Sequence, residues 1–301
     1  MELRTQSPAA VSIRPTDDEL DMFGITHPGL KRENNQDHFL LATVHAEISV
    51  LGSSLAGLDQ LPLKGTRLGT ILMVADGVGG TSDGGAAAQL ATKAVMQYVA
   101  SSLRCYNEIG RGNDPAFLEN LREAAFRAHE AVLAEAASRT DRTSLATTMT
   151  LGIAVWPWIY VVQVGDSRAY IHTHGKLRQV TRDQTMAQEM LDVGVLNADD
   201  VKRSPLKDIL SSAIGAPDAT PVVSRADIAE RGCVLIFCTD GLTKHVSDEE
   251  IESFCARGLP AEELGRALVD LALERGGSDN ITIVVAQAPV KQRTTSGAGV
   301  D

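Results

Sequence analysis

The stretch LMVADGVGG (residues 72–80) drives four apolar residues into Asp76 and then places glycine at three of the next four positions. A buried run ending in Asp-Gly has three readings. The glycines cradle a phosphate, the acid holds something that needs close backbone approach, or the chain simply turns. A phosphate loop of the GxxxxGK[ST] kind requires a lysine after the glycines, and none follows Gly79 and Gly80. A dinucleotide fingerprint requires a third glycine where Ser82 stands. Both phosphate-loop readings fail, and the acid and turn readings stay open.

The same arrangement recurs along the chain. VLIFCTDG (234–241) ends at Asp240 and Gly241, and VVQVGDSR (161–168) delivers Asp166. GGSDNITIVV (276–285) sets Asp279 and Asn280 at the start of a strand-like run, and RENNQDHFLL (32–41) does so with Asp37. Five carboxylates at strand ends can converge on one rim of a sheet. Convergent carboxylates repel one another and hold their protons more tightly unless cations join them. Oxygen donors suit Mg²⁺, Mn²⁺ or Ca²⁺, and the four cysteines show no Cys/His spacing of a zinc site. A glycine after the acid lets a backbone carbonyl approach such an ion.

Strand-like runs rich in β-branched residues occur at 21–26, 37–44, 68–75, 146–155, 159–164, 168–173, 233–239 and 280–286. Long helical patterns cover 84–103 and 114–138. In the second, Leu118, Leu121, Ala125, Ala128 and Val132 form one apolar stripe, with Asp114 and Pro115 as its start signal. Further helices are predicted within 183–194, 247–258 and 260–277, with Gly194 ending the first. The two longest helices are consecutive and most strands cluster without helices between them. That order favours an α+β fold of antiparallel sheets covered by helices over a doubly wound parallel sheet.

The organisation is one domain over residues 20–289. Polar segments at 1–19 and 290–301 are expected to be frayed, and 45–67 reads as an insertion between two strands. With 28 basic against 39 acidic residues the net charge is −11, which speaks against a nucleic-acid binder. No apolar run reaches the length of a membrane span, and the N-terminus lacks the apolar core of a secretory signal. The expected location is the cytoplasm, with reduced thiols. Cys233 and Cys238 lie five apart in one run, so on a strand they face opposite sides.

Taken in order, RENNQD, VADGVGG, LATTMTLG, VGDSRAY, LIFCTDGLTKHVSDEEI and GGSDNITIVV resemble the motifs of the metal-dependent serine/threonine protein phosphatases of the 2C type, in a bacterial form. The resemblance covers residues 21–288. It implies a four-layer αββα sandwich, two central antiparallel sheets flanked by helix pairs. It implies that Asp76 bridges two Mn²⁺ or Mg²⁺ ions, that Gly77 offers its carbonyl to one, and that Asp240 and Asp279 complete the shell of the other. Asp166 then matches the acid that helps hold a third, weaker ion. Arg32 matches the arginine that clamps substrate phosphate, where a planar fork suits a phosphoryl group. Asp37 is expected to act on the metals through water, and Asn280 to support the neighbouring loop. Two cations about 3.5–4 Å apart share a water and position it for attack on phosphorus.

Two positions depart from the family pattern. Gln36 stands where many members carry a metal-binding Glu, and offers only a neutral carbonyl oxygen. Val78 stands where many carry a histidine proposed as general acid, and cannot transfer a proton. His27 and His38, near the motifs, read as surface or hydrogen-bonded histidines. Cys238 reads as strand packing, and 191–212 occupies the place of a mobile flap. The function implied is hydrolysis of phosphoserine and phosphothreonine on proteins, opposing a Ser/Thr kinase. The rival readings are a non-catalytic binding module that kept the fold, and a phosphatase acting on an anti-sigma-factor antagonist.

Overall fold

The strand that carries the opening stretch, β3 (Lys64–Ala75), is apolar without interruption from Ile71 because both of its faces are covered. In the computed structural model, which describes residues 13–47, 49–50, 63–78, 83–102, 114–140 and 144–289, Leu72 and Val74 face a second sheet while Ile71, Met73 and Ala75 face helices. Successive strand side chains point to opposite sides. Burial on both sides therefore demands an apolar residue at every position.

One sheet runs, in spatial order, β1 (Asp21–His27), β12 (Ile281–Gln287), β11 (Val234–Cys238), β8 (Arg168–Thr173) and β9 (Lys176–Gln179). The other runs β10 (Val222–Asp227), β7 (Trp158–Val164), β6 (Met149–Val155), β3 and β2 (His38–Glu47). A short pair, β4 (Gly77–Val78) with β5 (Ala146–Thr147), lies beyond the end of β3. All of these pairings are antiparallel. The sheets meet through Leu72, Val74, Val161, Leu235, Phe237 and Val284. On the outside of the second sheet lie α1 (Asp83–Ser101) and α2 (Asp114–Ser138); on the outside of the first lie α6 (Asp248–Cys255) and α7 (Ala261–Glu274). The result is the expected four-layer α+β sandwich. Leu121, Ala125, Ala128 and Val132 of α2 are buried on one stripe, as their spacing predicts.

Three shorter helices complete the chain, α3 (Met186–Asp192), α4 (Ala198–Arg203) and α5 (Asp240–Thr243). Thr185 caps α3, accepting from the Gln188 amide, and Gly194 follows it at φ +75°. Asn197 caps α4, which lies inside the segment 191–212.

Two sequence expectations need correction. The connection read as 45–67 is shorter, because β2 and β3 extend into it and pair His45 with Arg67 and Glu47 with Lys64. Residues 13–19 of the segment read as frayed are held in place: Arg67, buried on β3, donates to Asp17 Oδ1 at 2.5 Å and to the Pro15 carbonyl at 2.8 Å. A buried guanidinium needs such partners. Arg231 adds a 2.8 Å ion pair to Glu19. Residues 1–12 and 290–301, together with Gly79, Gly80, Ser82 and Cys105, lie outside the described residues. Cys233 packs between the sheets and Cys238 under the helices, on opposite sides of the sheet. Burial pushes both thiols up to about 12. Among the described residues no helix is long and apolar enough to cross a membrane.

Candidate active site

Antiparallel register gathers the strand-end acids. His38 of β2 pairs with Ala75 of β3, so Asp37 and Asp76 emerge at the same end. Cys238 of β11 pairs with Ile283 of β12, which sets Asp240 beside Asp279 and Asn280. Met149 of β6 pairs with Val164 of β7, while Thr150 pairs with Val74, bringing Gly165 and Asp166 to that end too. Asp76, Gly77, Asp166, Asp240 and Asp279 line one cavity of about 340 Å³, with Arg32, Gln36 and Val78 on its wall. Asp37 lies beneath it, 3% exposed.

Asp76 is fixed through its main chain. Its amide donates to Thr148 Oγ1 at 3.0 Å, and its carbonyl accepts from the Thr148 amide and the Thr147 hydroxyl, each at 2.8 Å. Thr148 in turn shares a 2.6 Å hydrogen bond with Ser167, next to Asp166. Gly77 admits no side chain. A Cβ there would meet the Gly84 backbone at 2.3 Å and the Gln36 carbonyl at 2.8 Å. Gly241 likewise lies against the Asn280 carbonyl, which a Cβ would meet at 1.9 Å.

Asn280 pins the loop between β1 and β2 at three points. Its side-chain carbonyl accepts from the Gln36 amide at 2.8 Å, and its amide donates to Pro28 and Asn34 at 2.9 and 3.0 Å. Arg32 closes on Asp279 through Nε to Oδ1 at 2.7 Å and Nη2 to Oδ2 at 3.0 Å. His27 accepts from the Gly29 amide, and burial lowers the pKa of His38.

The electrostatics follow from burial and crowding. Burial, and then the neighbouring acids, push Asp76 well above the usual carboxylate range. Burial raises Asp166 to about 8, with Asp240 and Asp183 adding to it, and raises Asp37 to about 7 against two threonine hydrogen bonds. Burial also raises Asp240, opposed by Lys244. Asp279 is lowered, because Arg32 and Lys244 outweigh its desolvation.

The donor set suits a hard divalent cation. It is made of oxygens, and Asp37 Oδ1 and Asp240 Oδ1 are buried without a hydrogen-bond partner. Among the described residues, however, no three His, Cys, Asp or Glu side chains close on one point. Two cations sit among these acids: Lys244 pairs with Asp240 and Asp279 at 2.6 and 2.8 Å, and Arg32 grips Asp279 at 2.7 Å. Lys244, Thr147, Thr148, Thr239 and Thr282 are site residues that spacing alone does not reveal. The only signal of the four threonines is polar character inside otherwise apolar, buried runs, and Lys244 carries none.

A family model described as protein phosphatase 2C matches residues 55–270. The chain belongs to the protein phosphatase 2C family. The serine/threonine protein phosphatase PstP of Mycobacterium tuberculosis is 31% identical over 216 residues, 72% of this chain and 40% of that protein. The chain thus spans well under half the length of that relative. The serine/threonine phosphatase stp of Listeria monocytogenes is 27% identical over 225 residues, 74% of this chain and 86% of that one. Among solved structures, the catalytic domain of PstP in complex with two manganese ions has a TM-score of 0.68 and 26% identity, covering 90% of this chain and 99% of that one. The fold of this chain is therefore that of a family in which one solved structure, that of PstP, holds two manganese ions.

Proposed function

We propose that this protein is a metal-dependent phosphatase of phosphoserine and phosphothreonine on proteins, acting in the cytoplasm against a Ser/Thr kinase. The observation that carries the reading is the cavity in which Asp76, Gly77, Asp240, Asp279 and Asp166 converge with Arg32 on the wall. Asp76 and the Gly77 carbonyl would hold one Mn²⁺ or Mg²⁺ ion; Asp76, Asp240 and Asp279 would hold a second, and Asp166 a weaker third. Bound there, the ions supply a water of lowered pKa at neutral pH.

The chain's own residues do the rest. Thr147 and Thr148 fix the Asp76 backbone, so the carboxylate enters the cavity at one angle. Asp37, buried and held by two threonines, orients water from below. Arg32, half-exposed at the rim, offers its fork to the phosphoryl oxygens. Val78 lines the cavity without a transferable proton, so the leaving group takes its proton from water or from another group. Gln36 supplies a neutral oxygen at the wall, which weakens the nearby ion relative to a carboxylate.

The test is hydrolysis of p-nitrophenyl phosphate and of a phosphothreonine peptide with Mn²⁺, repeated with EDTA and with Asp76→Asn. Loss of activity in both is expected, and activity that survives both would sink the two-metal mechanism. A second reading, a binding module that kept the fold, is favoured by one observation: Arg32 and Lys244 already occupy Asp279. Absence of Mn²⁺ binding by calorimetry would select it.

A further inference from the structure

Lys244 lies four residues beyond Asp240, immediately after α5, so its side chain returns over the face that carries that acid. Its Nζ is 2.6 Å from Asp240 Oδ2 and 2.8 Å from Asp279 Oδ2. The remaining capacity of Asp279 is taken by Arg32, through both carboxylate oxygens, and by the Asn280 amide at 3.0 Å to Oδ1. One ammonium therefore bridges the two carboxylates that frame one side of the cavity. A Mg²⁺ ion shared by the same two oxygens would need them at about 2.0–2.1 Å from a single point. That point coincides with the space the ammonium fills, and like charges exclude each other there.

We infer that Lys244 is a resident cation of the Asp240–Asp279 pair, one that stabilises the metal-free protein and that a divalent ion must displace. The inference rests on the metal-phosphatase reading and adds to it a residue that sets metal affinity. Two half-buried acids at one rim would otherwise repel, and the lysine offsets that repulsion before any ion arrives. An entering ion then has to move a four-carbon side chain out of a partly buried position and break two charge-assisted hydrogen bonds. The pair is consequently a weaker metal site than its carboxylates alone would make it.

The experiment is calorimetric titration of EDTA-stripped protein with Mn²⁺, alongside the melting temperature of the same metal-free samples. Lys244→Met keeps the bulk of the side chain and removes the charge, and Lys244→Gln is a second neutral variant that retains a donor for the acids. In both, Mn²⁺ affinity is expected to rise about tenfold or more, the scale of a lost charge-assisted contact. The metal-free melting temperature is expected to fall. Lys244→Arg should stay near wild type in both readouts. The gain should persist at high salt, because a contact pair is screened less than a remote charge. Unchanged or weaker Mn²⁺ binding in both neutral variants, with wild type binding normally, overturns the role of Lys244 and leaves the metal centre standing. A gain that vanishes at high salt also overturns it, since that marks a remote field. Absence of Mn²⁺ binding in wild type and variants alike overturns the metal reading, and this inference with it.

Discussion

Thr282 donates to Asp37 Oδ2 across 2.7 Å, and Thr239 donates to the same oxygen at 2.8 Å, which leaves the buried Oδ1 as the single unpartnered atom of that carboxylate. Two strand ends thus hold one acid in one orientation. Removing a donor from a buried carboxylate costs about 1–3 kcal/mol, and more when charge is left uncompensated. Thr282→Val is therefore expected to lower unfolding free energy by that order in urea titration, with Mn²⁺-dependent turnover falling as Asp37 loses its orientation. Thr239→Val should act alike. The two together should depart from additivity, because they serve one oxygen. Strict additivity would show that they act separately.

The raised carboxylates set a pH dependence for metal-stripped protein. Burial lifts Asp37 to about 7 and Asp166 to about 8, against an unfolded value near 3.9. The folded chain then keeps protons that the unfolded chain has already released. Stability from these groups is fully present below the unfolded pKa and is lost as pH rises through the folded values. In EDTA the melting temperature should fall between about pH 5 and about pH 8, and saturating Mn²⁺ should flatten that slope by replacing protons with metal. A melting temperature in EDTA that rises across this range contradicts the assignment.

Most of this architecture is legible in the chain because its causes are local. The strand-like runs around Leu72, Val161, Ile236 and Val284 are apolar at consecutive positions since both faces are covered, and each meets an acid or a glycine where cover ends. The acids at 37, 76, 166, 240 and 279 could be read as one rim from their repeated strand-end setting. What was not legible depends on partners far away in sequence. Asp17 is ordered by Arg67, fifty residues on, so a polar segment that looks frayed is partly held. The ends of β2 and β3 escape notice because His45 to Glu47 and Lys64 to Arg67 are polar, and register shifts after Val44 and His45 break their alternation. Lys244 reads as an ordinary surface lysine until Asp279 is brought beside Asp240 by the pairing of β11 with β12.

Gly77 and Gly241 should tolerate no side chain, for a reason unrelated to helix or strand preference. The atoms a Cβ would meet are backbone: Gly84 and the Gln36 carbonyl in one case, the Asn280 carbonyl in the other. Backbone cannot swing aside as the end of a lysine can, so Gly77→Ala and Gly241→Ala must displace the segments bearing Asp76 and Asp240. Overpacking of this kind costs about 1–3 kcal/mol, sometimes more. Chemical denaturation should register that loss, and Mn²⁺ affinity should drop in parallel. Wild-type affinity in either variant would mean the loops carry slack that these contacts do not suggest.

Arg32 is placed to do two things, and kinetics can separate them. Its bidentate grip on Asp279 holds a proposed metal ligand, while its half-exposed position at the cavity rim offers the same fork to a phosphoryl group. A lysine at this position keeps the charge and loses the planar pair of donors. If the fork binds substrate, Arg32→Lys should raise KM for a phosphothreonine peptide about tenfold with a smaller change in kcat, the loss of roughly one charge-assisted hydrogen bond. Arg32→Ala should raise it further. Mn²⁺ affinity should stay near wild type in Arg32→Lys, which keeps the charge, and should not fall in Arg32→Ala, because freeing Asp279 from a competing cation leaves its oxygens more available to metal. The opposite pattern, an unchanged KM with collapsed Mn²⁺ binding, would assign Arg32 to positioning Asp279 and leave the phosphate to be held by the metals alone.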